Sequence, residues 1–174
     1  MLYFRGSSCY TVAMETKAHV RATALAVLAV VLLAAWISAF HVQLLLIHGD
    51  SMAPAYRSGS LVLLEKRVDE PEKGDVLLVR AEGLGRNLVK RVAAVGGDTL
   101  TIEDGALCVN GVRAAELPPE EERAAFLAGT PFVVPEGSLF LLGDNHGASV
   151  DSRDARVGLV GLDAVRGRVC FPRR

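Results

Sequence analysis

Cysteine is scarce in this chain. Cys9, Cys108 and Cys170 are the three present, and no C-x-x-C pair occurs. That excludes the usual spacing of a structural zinc site. Cys108 and Cys170 can bridge only if their Cα atoms come within about 7 Å; two small buried hydrophobes are the simpler reading. Net charge is nearly absent too, since 19 Lys and Arg face 20 Asp and Glu for a balance of −1. The basic residues are scattered and aromatics make up only 6%. No basic, aromatic-rich face exists, so nucleic acid is not an expected partner. There is no internal repeat and no low-complexity linker. What the chain has in excess is apolar residues, 51% of the total. The mean hydropathy of +0.31 is high for a soluble domain, and one segment accounts for much of it.

That segment, residues 22–40, reads ATALAVLAVVLLAAWISAF, without a charge. At about 1.5 Å per residue it spans roughly 28 Å, close to the thickness of a bilayer core. Trp36 and Phe40 sit toward its far end, as interface residues do. A cleaved secretory signal would have a shorter core, and a buried helix would carry a polar stripe. A retained transmembrane helix fits best. Arg5, Lys17 and Arg21 precede it, whereas Arg57 is the first basic residue other than histidine to follow. The basic excess keeps the N-terminus in the cytoplasm and sends everything from His41 to the outer side. The expected organisation is a cytoplasmic segment 1–21, a membrane helix 22–40 and one domain, 41–174.

The outer domain reads as mainly β: a compact antiparallel domain of short strands. Apolar β-type runs occur at 42–47, 61–64, 76–79, 88–95, 100–102, 107–109, 132–134 and 139–142. Gly59, Pro71, Gly74, Gly96-Gly97, Gly105, Pro135 and Gly137 punctuate them. Asn110-Gly111 is a strong tight-hairpin signal. The stretch Pro118-Pro119-Glu120-Glu121-Glu122, running into Arg123-Ala124-Ala125-Phe126, predicts a short surface helix.

Two residues invite a chemical reading. Ser51, in Asp50-Ser51-Met52-Ala53-Pro54, lies about ten residues beyond the apolar run. Lys90, in Leu88-Val89-Lys90-Arg91-Val92, lies in a strand-like segment. A serine hydroxyl attacks only when something takes its proton, and a lysine takes it only when held neutral. In water, with a pKa near 10.4, about one lysine in a thousand is neutral at pH 7; the apolar flanks of Lys90 suit a pocket that lowers that value. Each residue also has a bland reading. A serine after Gly-Asp is commonly a turn residue, and a strand lysine is commonly solvated. Strand alternation sends Lys90 and Arg91 to opposite faces, so one of them can be buried. His48 lies too close to Ser51 in the chain for a usual triad.

Four segments occur in order behind the helix: Gly49-Asp50-Ser51-Met52-Ala53-Pro54, Gly74-Asp75-Val76-Leu77, Leu88–Asp98 with its Gly96-Gly97, and Gly143-Asp144-Asn145 followed by Ser149-Val150-Asp151-Ser152-Arg153. Together they resemble the type I signal peptidases, Ser/Lys peptidases that remove signal peptides from exported proteins. The resemblance implies that Ser51 is the nucleophile and Lys90 the general base. It implies that Met52 shapes the substrate site, that Ser149 hydrogen-bonds the lysine, and that Asp151 and Arg153 form a structural pair. Some members carry a serine two positions before the nucleophile as an oxyanion donor. Here that position is Gly49, which leaves backbone N–H groups. Other relatives replace the lysine with histidine, but Lys90 fills that position here, so His146 is not expected to act as base.

The pattern departs from the family at two places. Arg153-Asp154-Ala155-Arg156-Val157-Gly158 has two extra residues before the glycine, leaving Arg153 and Arg156 both open as the structural arginine. Gly96-Gly97-Asp98 stands where many members have Pro-Gly-Asp. The resemblance implies a monomeric bacterial plasma-membrane peptidase without cofactor or metal. Its partners would be preprotein signal peptides and the lipid bilayer, and it would cut after small residues at −1 and −3. A self-cleaving repressor-type peptidase, a dedicated single-substrate peptidase and a catalytically dead membrane-tethered binding module are the competing readings. The membrane helix opposes the first, and the presence of both Ser51 and Lys90 opposes the last.

Overall fold

The computed structural model describes residues 8–40, 42–117, 124–129 and 131–172. The chain divides into two compact units, an N-terminal helix and the β domain that follows. Helix α1 (Ser8–Phe40) includes the apolar run and begins well before it. Its stretch His19–Trp36 is long and apolar enough to cross a membrane, and no residue of that stretch is buried by protein. An apolar surface on every side, with no polar stripe, is unsuited to water and suited to hydrocarbon.

Among the described residues eleven strands follow: β1 (Val42–Leu46), β2 (Leu61–Glu65), β3 (Val76–Ala81), β4 (Arg86–Ala94), β5 (Thr99–Glu103), β6 (Ala106–Val109), β7 (Val112–Glu116), β8 (Phe132–Val133), β9 (Ser138–Leu142), β10 (Val160–Gly161) and β11 (Val165–Phe171). They form a seven-stranded sheet, ordered β1-β2-β11-β3-β4-β9-β10, and a four-stranded sheet, ordered β7-β6-β5-β8. The strand pairs are antiparallel. The fold is therefore mainly β with one N-terminal apolar helix, as the sequence predicts.

The reasons are local. Asn110 and Gly111 take φ of 51° and 76°, the left-handed pair that a two-residue hairpin between β6 and β7 requires. The unbroken run Val76-Leu77-Leu78-Val79 arises because β3 is covered on both faces. Val76 and Leu78 join one apolar cluster with Ile47, Met52, Tyr56, Val62, Leu64 and Val169. Leu77 and Val79 join another with Leu88, Val92, Leu139 and Leu141. Residues covered on both faces lose the alternation that marks a half-exposed strand. A third cluster, around Leu100, Leu107, Leu127 and Phe140, includes buried residues of both sheets.

Strands β7, β10 and β11 carry no clear signal in the sequence. In β11, Arg166-Gly167-Arg168 interrupts the apolar residues, yet the strand lies between β2 and β3. Gly167 is needed there, since a Cβ would come within 2.9 Å of the Glu65 carbonyl oxygen. Of the surface helix expected from Pro118, residues 118–123 lie outside the described residues, and Ala125–Gly129 forms a 3-10 turn. Cys108 and Cys170 are both free; Cys108 is buried in β6, in keeping with the small-hydrophobe reading.

Candidate active site

The loop after β1 is closed by two backbone bonds between Ile47 and the Gly59–Ser60 turn, each 2.8 Å. Inside it, Gly49 has φ of +86°, a conformation that a side chain would strain. The Asp50 carboxylate accepts the Ser58 N–H at 3.2 Å. Met52 and Tyr56 are buried, and the Tyr56 hydroxyl reaches the Pro172 carbonyl at 2.6 Å. Ser51 is thus a half-buried residue on a short turn fixed by buried neighbours on both sides. Among the described residues the Ser51 N–H has no hydrogen-bond partner.

Lys90 lies between Leu88 and Val92 on the inward face of β4, opposite Leu77 of β3. It is only 2% exposed. Its Nζ lies 2.7 Å from Ser51 Oγ. Burial pushes its pKa down from 10.5 to about 8. The positive charges of Arg86 and Arg153 push the same way, while Asp151 and Asp144 oppose them. Alternation turns Arg91 to the other face. There Nε and Nη2 grip the two oxygens of Asp144 at 2.8 and 2.7 Å, and Nη1 donates to the Gly74 carbonyl.

The fourth segment wraps this pair. Asp151 and Arg153 are 1% and 3% exposed. Arg153 donates from Nε and Nη2 to the two oxygens of Asp151, each at 2.9 Å. It also donates to the carbonyls of Glu116 and His146. Asp151 accepts the Gly143 N–H as well, at 3.0 Å. Every polar atom of a buried charge pair is costly unless bonded, and here the bonds are made. Arg156, by contrast, has a largely exposed side chain and pairs with its near neighbour Asp154. Arg153 is the arginine built into the interior.

Two further residues of this segment hold the Ser51 loop, and the sequence alone assigns them no role. Asn145 donates its backbone N–H to the Ser51 carbonyl at 3.0 Å and its Nδ2 to the Asp50 carbonyl at 3.1 Å. Gly143 lies so close that a Cβ would overlap the Ser51 carbonyl and the Ser149 hydroxyl. The Gly-Asp-Asn string was the available signal, but nothing in it names the partner. Ser149 Oγ is buried without a hydrogen-bond partner, so the bond to Lys90 that the resemblance implies is not made in this structure. His48 Nδ1 lies 3.1 Å from the Leu46 carbonyl, and His146 is exposed; neither side chain is bonded to Ser51.

A cleft of about 480 Å³ opens over Ser51 and Lys90, with Leu45, Ile47, Met52, Leu78, Leu88 and Val89 in its apolar lining. One of its borders is a free strand edge. β9 joins β4 only from Arg91 onward, so, among the described residues, positions 86–90 of β4 are paired on the β3 side alone. Among the described residues no cluster of His, Cys, Asp and Glu is arranged to hold a metal ion.

The family model described as signal peptidase, peptidase S26, matches residues 20–173. A signal peptidase I of Bacillus licheniformis is 33% identical over 157 residues, covering 84% of each chain. Signal peptidase I T of Bacillus subtilis (strain 168) is 32% identical over 157 residues, 84% of this chain and 81% of that one. A crystal structure of a signal peptidase I from Enterococcus faecalis V583 aligns at 28% identity over 59% of this chain and 99% of that one, with a TM-score of 0.44.

Proposed function

The chain belongs to the signal peptidase family, peptidase S26, and from that premise we propose that it cleaves signal peptides from exported preproteins with Ser51 as nucleophile and Lys90 as general base. The observation that carries this reading is a buried amine 2.7 Å from a serine hydroxyl. Neutral Lys90 accepts the Ser51 proton as Oγ attacks the scissile carbonyl. The Ser51 N–H, free of other partners among the described residues, is available to stabilise the oxyanion without help from a side chain at Gly49. Protonated Lys90 then passes that proton to the leaving amine, which departs as the C–N bond breaks. A water next gives a proton to Lys90 and attacks the acyl-enzyme; the Ser51 Oγ–C bond then breaks as Lys90 returns that proton to Oγ, which restores the dyad and frees the new carboxyl terminus.

The free edge of β4 supports substrate binding as an added strand. Side chains at −1 and −3 then point the same way, into the apolar lining formed in part by Met52, and a confined cleft favours small ones. The buried Asp151–Arg153 pair supports the dyad by holding the segment that grips the Ser51 loop.

Helix α1 is the membrane anchor, with its N-terminus in the cytoplasm and the β domain outside a bacterial plasma membrane. An exposed apolar patch supports contact with lipid. Leu44 and Leu46 of β1, Leu61 of β2 and Phe171 of β11 are all exposed. The register places them on one face, since Leu46 pairs with Leu61, and Leu44 and Phe171 both pair with Leu63. The test is incubation with preproteins bearing alanine at −1. Cleavage after that alanine, lost in both Ser51→Ala and Lys90→Ala, is expected. Wild-type-like cleavage by the folded Lys90→Ala variant refutes the dyad.

A further inference from the structure

Arg86 lines the same cleft as Ser51 and Lys90, and the mechanism leaves it unused. It opens β4 just after the left-handed Gly85 that ends the 3-10 turn Glu82–Leu84. By strand alternation it shares the face of Leu88 and Lys90. It is exposed, and among the described residues it has no ion pair and no side-chain hydrogen bond. Among the described residues Asp50 is the one carboxylate lining the cleft, and it is bonded to the Ser58 N–H. A guanidinium with no internal acceptor, in a cleft with a free strand edge, keeps its donors available to whatever occupies the cleft.

We propose that Arg86 reads the charge of the substrate about five residues before the scissile bond, favouring a carboxylate there and rejecting a cation. This rests on the peptidase reading above and deepens it. The position follows from strand geometry for a peptide laid parallel to β4 with −1 beside Lys90. Four residues separate Arg86 from Lys90, about 14 Å at roughly 3.4 Å per residue. An extended peptide alongside covers that distance in about four residues beyond −1, which is position −5. The field of Arg86 is also felt at Lys90, where it pushes the amine toward its neutral form. The two positive charges therefore act on one occupied space.

The experiment uses full-length protein in detergent and three peptides that differ only at −5, carrying Asp, Ala or Lys. For the wild-type protein kcat/KM should fall in that order, by about threefold to fivefold per step, the scale of a solvated charge pair. In Arg86→Glu the order should reverse, and in Arg86→Gln it should flatten. A uniform loss for all three peptides reports Lys90 alone, so the ratio between peptides is the readout. If the alanine peptide is cut in a Ser51-dependent way but the Asp:Lys ratio is unchanged in Arg86→Glu, the proposal is overturned and the peptidase reading stands. If that peptide is not cut at all, both fall. An added 0.5 M salt should compress the wild-type ratio toward one; a salt-independent ratio counts against a charge contact.

Discussion

At pH 7 an amine with a pKa of about 8 is protonated in about nine molecules of ten. Only the remainder can accept a proton from Ser51. The value of kcat/KM should therefore rise about tenfold per pH unit up to about pH 8 and level off above it, measured on an alanine-containing peptide. A midpoint near 10.5 would mean that burial does not act on this amine. The same shift bears on stability. Between about pH 8 and 10.5 the unfolded chain holds a proton at Lys90 that the folded chain has released, so stability rises with pH across that window. Below pH 8 the folded protein carries the full penalty, on the order of 3 kcal/mol. Lys90→Met keeps the volume and removes the charge, at the loss of one hydrogen bond worth about 1 kcal/mol. It should melt a few degrees above wild type at pH 7, and the gap should narrow as pH approaches 10.5. An unchanged or lower melting temperature at pH 7 would contradict this.

At the scale of elements, the proposed catalytic geometry depends on two loops gripping each other. The loop after β1 carries Ser51, and the segment after β9 holds it through Asn145 and Gly143. That segment is in turn fixed by the buried Asp151–Arg153 pair. Arg153→Ala leaves a buried carboxylate without its cation, a change that costs about 3 to 5 kcal/mol in comparable pairs. Arg156→Ala removes an exposed partner of Asp154 and should stay within about 0.5 kcal/mol of wild type. Denaturant unfolding of the two variants separates them, and equal losses would show that burial does not distinguish the two arginines.

At the scale of the whole molecule, the proposed function has substrate and enzyme meet at a lipid surface. Leu44, Leu46, Leu61 and Phe171 expose apolar area continuous with the strand that leads into the Ser51 loop. Paired Leu44→Asp and Leu61→Asp substitutions should leave cleavage of a short soluble peptide within about twofold. They should slow processing of a preprotein embedded in vesicles severalfold, because each carboxylate opposes contact with hydrocarbon. Equal effects on the two substrates would mean that the patch acts on folding or on the site itself.

The sequence by itself determined what depends on neighbours a few residues apart. An unbroken apolar run dictates α1, Asn110-Gly111 dictates the hairpin, and alternation parts Lys90 from Arg91. The partnership of Ser51 with Lys90 was legible only through the order of four motifs, since 39 residues separate the two. The tertiary structure alone decided the rest. It set Arg166-Gly167-Arg168 into an interior strand because Gly167 lets two backbones close, and it chose Arg153 over Arg156 by burying one. It gave Asn145 its grip on Ser51 and left the edge of β4 open beside Arg86. Desolvation, register and bond partners are properties of residues remote in the chain brought together, and no local pattern encodes which ones will meet.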